Sequence, residues 1–109
     1  MELEREGAVR LHRQMWSDMQ KQLGDTPSRS DREIFKYNWC EEHFPGEKIS
    51  HNCFLCEYDD QFRSNCDNCP IAWPNEDCCG GGIFFQYKHV NYKTSPISEI
   101  LALPEREDV

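Results

Sequence analysis

The chain has 109 residues, and 20 acidic against 12 basic side chains give it a net charge of −8 with histidines neutral. Hydrophobic residues make up 38% and charged ones 29%, so a single domain with a thin apolar core is expected, one that a bound metal would reinforce. This balance repels a phosphate backbone unless the few bases gather on one face, and no run of eighteen apolar residues is present to span a bilayer.

The opening MELEREGAVR is charged from its second residue, so no secretory leader is expected and the cytoplasm is the expected compartment. In that reducing setting, seven cysteines read as metal ligands more naturally than as a disulfide framework, which favours an even count.

Residues 1–23 carry Leu3, Ala8, Leu11, Met15, Met19 and Leu23 mostly at three- and four-residue steps, which predicts an amphipathic helix closed by Gly24 and Pro27. A second helix is predicted from Ser30, where Ser30 and Glu33 match a capping box, through Ile34, Phe35, Tyr37, Trp39 and Phe44 to a stop at Pro45-Gly46. Residues 47–79 form the cysteine-rich part, expected as loops, turns and at most short strands. Residues 83–93, IFFQYKHVNYK, suit one or two short strands. Ser95-Pro96 then opens a short helix through Ile97, Ile100 and Leu101 that Pro104 stops, and residues 105–109 form a frayed tail. The expected fold is therefore α+β: two N-terminal helices (1–46), a zinc-knuckle part (47–79), and short strands with a short helix (80–104).

Chemistry concentrates between His51 and Pro74. Cys53/Cys56 and Cys66/Cys69 are two C-x-x-C pairs, and two such turns supply four thiolates to one tetrahedral Zn²⁺. A four-cysteine site has no open position, so its role would be structural. Cys40, His43, His51, Cys78 and Cys79 are the side chains that could replace one of the four. Cys78-Cys79 makes a poor redox pair, because adjacent cysteines strain a disulfide and Glu76 and Asp77 oppose a thiolate. No nucleophile elbow, phosphate-binding glycine loop or H-E-x-x-H motif is present, so no enzyme is expected.

From Glu57 to Asp77 the acids Glu57, Asp59, Asp60, Asp67, Glu76 and Asp77 face Arg63 alone. Nucleic-acid-binding zinc modules surround the metal with Lys and Arg, so direct nucleic-acid binding is disfavoured here, and the acids become the candidate contact surface for a protein. Carboxylates at suitable spacing present the charges that phosphates would, which suits the basic groove of a nucleic-acid enzyme. Two alternatives are a nucleic-acid-binding regulator using Arg29, Arg32, Lys36, Lys88 and Lys93, and a structural assembly factor.

The segments CFLCEYDDQF and CDNCPIAWP, with EGAVRLHRQMW at the start and PISEILALPER at the end, resemble small cysteine-knuckle proteins carried by bacteriophages and prophages of Gram-positive bacteria. The resemblance implies a viral or mobile-element accessory protein acting in the host cytoplasm. Such proteins include regulators of host transcription and inhibitors of host defence, anti-CRISPR proteins among them, and no residue role carries over from it.

Overall fold

The structure is a computed structural model that describes residues 2–62, 69–71 and 94–106. Helix α1 (Arg5–Leu23) forms because its apolar residues repeat at helical spacing, and it buries Ala8, Val9, Leu11, His12, Met15, Trp16 and Met19 along one side. It stops at Gly24, which has φ 86° and ψ −176° and donates its N–H to Gln20 O at 2.9 Å. That backbone region is open to glycine almost alone.

Helix α2 (Arg29–His43) has its cap two residues before the one expected at Ser30. Ser28 is the true cap, its Oγ accepting from Asp31 N at 3.1 Å. Phe44 closes the helix, and Gly46 (φ 83°) turns the chain. A one-turn 3-10 segment, Ser50–Asn52, follows with His51 and Asn52 both left-handed (φ 54° and 50°), and it delivers Cys53 to the start of helix α3 (Phe54–Asp60). Helix α4 (Ile97–Leu101) begins one residue later than expected: Pro96 stands at its cap, and buried Ser95 precedes it.

Helix α1 is the spine against which α2, α3 and α4 all pack. The core fills the space between them with Met15, Trp16 and Met19 from α1, Trp39 from α2, Phe54 and Leu55 from α3, and Ile97 and Ile100 from α4. Phe54 meets Trp39 and Phe44 edge-on, with ring centroids 5.5 and 5.7 Å apart. Burial of each such side chain contributes about 2 kcal/mol, and the edge contacts add about 1 kcal/mol more.

The α+β expectation is corrected: 64% of the described residues are helical and 3% are strand, with no sheet. The lone extended pairing among them is the antiparallel bridge between Ile71 and Glu105. Part of the region expected as loops is helix α3, because Phe54, Leu55 and Tyr58 recur at helical steps and Cys53 takes the cap position. The strands expected at 83–93 lie outside the described residues. The tail begins ordered, since Arg106 N donates to Pro70 O at 2.7 Å and Arg5 Nη1 reaches Glu105 Oε1 at 3.0 Å.

Candidate functional site

The first C-x-x-C folds as the opening turn of α3, with Cys53 at the cap and Cys56 three residues on. The Cys56 thiol donates to the Cys53 sulfur, and this bond, with nearby Lys36 and the backbone N–H groups of Cys56 and Leu55, holds the Cys53 thiol well below its ordinary range against the opposing effect of burial. Burial pushes the neighbouring Cys40 thiol up to about 11. Cys69 is buried as well, its carbonyl facing Arg106 Nη1 at 3.4 Å. Among the described residues, no group of three or more His, Cys, Asp or Glu side chains is placed to hold a metal ion. The predicted set Cys53, Cys56, Cys66 and Cys69 falls only in part within the described residues, and the zinc-knuckle architecture is corrected to a helical one. The physical reason is that C-x-x-C also spans the first turn of a helix, where residues i and i+3 share a side. Cys66, Cys78 and Cys79 lie outside the described residues. His51 is exposed, and His43 is held by α2 itself, its Nδ1–H donating to Trp39 O at 2.9 Å.

The predicted acidic surface is also redistributed. Glu57 is buried and its Oε2 accepts from Ser50 N at 3.0 Å, which ties the 3-10 turn to α3. Asp59 is buried too, and Asp60 alone of the described candidates faces solvent. Asp67, Glu76 and Asp77 lie outside the described residues.

The bases proposed for nucleic acid fare similarly. Arg32 is 2% exposed, donating from Nε to Pro27 O at 3.0 Å and from Nη1 to Ser95 O at 2.6 Å. Lys36 is buried with its Nζ 5.9 Å from the centroid of the Trp16 ring. Arg29 alone of the three on α2 is exposed; Lys88 and Lys93 lie outside the described residues.

With Arg32 and Lys36 turned inward, α2 presents a different outward face. Ile34 and Tyr37 are 59% and 56% exposed, one turn apart, and exposed Asp31, Glu33, Glu41 and Glu42 surround them. The sequence held a signal for this face: Ser30, Ile34, Tyr37 and Glu41 follow a helical stripe on the side opposite Arg32, Lys36 and Trp39. Taking Ile34 and Tyr37 together with Phe35, Trp39 and Phe44 as the apolar residues of one helix concealed it.

Beside this face, the C-terminal halves of α1 and α2 enclose a groove of about 470 Å³ whose lining includes Asp18, Lys21, Phe35, Trp39, Glu42 and His43. Trp39 Nε1 donates to Asp18 Oδ2 at 2.9 Å, and the His43 ring stacks on the Trp39 indole at a centroid distance of 3.7 Å. The aromatic wall is fixed from both sides. Among the described residues no helix is long and apolar enough to cross a membrane. Comparison with known proteins finds no matching family model, no matching curated protein and no matching solved structure.

Proposed function

We propose that the protein is an acidic protein-binding module whose contact surface is the outward face of α2, and that its partner is a protein with a basic, partly apolar surface of the kind a nucleic-acid enzyme offers its substrate. The observation that carries this reading is the burial of Arg32 and Lys36, which leaves Ile34 and Tyr37 exposed within a rim of Asp31, Glu33, Glu41 and Glu42. An exposed apolar pair gives such a contact its short-range energy, and the carboxylate rim steers a basic partner and repels DNA or RNA. Occupation of the partner's substrate groove by this face would inhibit the enzyme. The resemblance to phage-borne accessory proteins points to a host enzyme of nucleic-acid metabolism or defence as the one to test first.

The test compares the full chain with a triple variant, Asp31→Asn, Glu33→Gln and Glu41→Gln, against purified candidate nucleic-acid enzymes and against duplex DNA at about 50 and 300 mM salt. The native chain is expected to bind an enzyme at low salt, to weaken as salt rises and to displace that enzyme's nucleic acid, while the triple variant loses at least about tenfold in affinity. Equal binding by the two chains, or salt-sensitive binding of DNA by the native chain itself, would overturn the reading.

A further inference from the structure

Resting on that reading, we infer that the groove between α1 and α2 receives one basic side chain, an arginine or lysine, projecting from the partner protein. The groove is a continuation of the acidic face: Glu42 belongs to both, and Phe35 and Trp39 form its apolar wall. Two carboxylates, Asp18 from α1 and Glu42 from α2, line it together with Lys21 and the His43 ring.

Their states favour a cationic occupant. Asp18 is oriented by Trp39 Nε1 through Oδ2, so Oδ1 remains as an acceptor, and Glu42 is in no ion pair among the described residues. The Trp39 indole cannot swing away, because its N–H is committed to Asp18 and the His43 ring covers one face. A long basic side chain matches this arrangement at both ends. Its methylenes pack on Phe35 and Trp39 while its charged head lies between the carboxylates, forming charge-assisted hydrogen bonds that a neutral side chain cannot replace. An anionic group would meet both carboxylates instead. Lys21 limits the groove to one added cation, since a second would face an ammonium already in place.

The test uses the full chain, labelled with nitrogen-15, and a short peptide containing one arginine, with the same peptide carrying citrulline as the neutral isostere. The arginine peptide is expected to shift the Trp39 indole N–H resonance saturably and the citrulline peptide to leave it unmoved. Glu42→Gln, a change at an exposed position that leaves the core intact, should weaken the arginine peptide about tenfold, and Phe35→Leu should weaken it independently. Shifts confined to Ile34 and Tyr37, with Glu42→Gln without effect, would overturn the groove proposal and leave the acidic-face reading standing. Absence of any arginine-dependent shift while the full chain still binds a protein partner would do the same. Loss of partner binding by the triple variant together with arginine-dependent shifts at Trp39 supports both.

Discussion

Arg32 is a charged side chain serving as a structural bolt. Its guanidinium gives up water and receives two backbone carbonyls in return, Pro27 O and Ser95 O, which joins the loop before α2 to the loop before α4. Arg32→Met keeps the volume but strands those carbonyls, so a loss of about 2–3 kcal/mol is expected in denaturant unfolding, and Arg32→Lys should recover little because an ammonium lacks the planar fork. An unchanged midpoint for either variant would contradict the assignment. His12 works in the opposite sense, as a group kept uncharged. Burial, with Arg13 and Lys36 nearby, drives it from 6.5 to about 3, so between those values the unfolded chain takes up a proton that the folded chain refuses. The part of stability linked to His12 is therefore full above about 6.5 and falls with pH, by about 2 kcal/mol at about pH 5. Cys53 pulls the same way at higher pH, since a thiol lowered by folding stabilises most above its ordinary range and loses that contribution as pH falls. The informative measurement is thus the difference between chains: His12→Gln should flatten the decline between about pH 7 and 5, and parallel curves would refute it. Neither role was legible in the sequence. Arg32 and Lys36 follow Asp31 and Glu33 on a polar-looking helix, and only the arrival of the α4 loop and Trp16 makes their side of α2 the inner one.

At the scale of elements, α1 was legible because its apolar spacing repeats along a helix of about five turns, and its stop at Gly24 follows from the one residue able to take that backbone conformation. Gly7 and Gly24 make a matched test, since an added Cβ would meet nothing within 4 Å at either. Gly7→Ala, inside the helix, should stabilise by about 0.5 kcal/mol through the unfolded chain, whereas Gly24→Ala should destabilise by about 1–3 kcal/mol through torsional strain alone. Thermal melts of the two variants should move in opposite directions, and a shared direction would mean the turn is built otherwise. The cap of α2 was misplaced by two residues because Ser28 and Ser30 both precede an acid at capping distance, and the contact that decides between them, Ser28 Oγ with Asp31 N, is invisible to spacing. Helix α3 was hidden for a chemical reason. Two cysteines three apart describe a metal loop and a helical first turn equally well, and spacing alone does not show that this pair opens a helix. The same ambiguity misled the acids: Glu57 and Asp59 count as surface charge in a loop but turn inward once the segment winds into a helix against α1.

Across the whole molecule, the start of α1 meets residues 105–106. Arg5 at the start of α1 pairs with Glu105 at 3.0 Å and donates to Arg106 O, Arg13 stands 3.9 Å from Glu105, and the backbone of Glu105 and Arg106 pairs with Ile71 and Pro70. Composition hides this clasp: EREDV reads as a solvated acidic tail, and only a basic helix start brought alongside gives its first two residues a partner. The ion pairs are half exposed and contribute little alone, so the backbone pairing and the bond to Arg106 O carry most of the effect. Removing residues 105–109 should therefore cost about 2 kcal/mol in denaturant unfolding, and Arg5→Ala in the full chain about 1 kcal/mol. Because both changes break the same contacts, they should not add: Arg5→Ala ought to cost almost nothing in the shortened chain, a coupling of about 1 kcal/mol that a double-mutant cycle reads directly. Additive losses would place the role of Arg5 elsewhere on α1 and leave the C-terminal segment without its anchor.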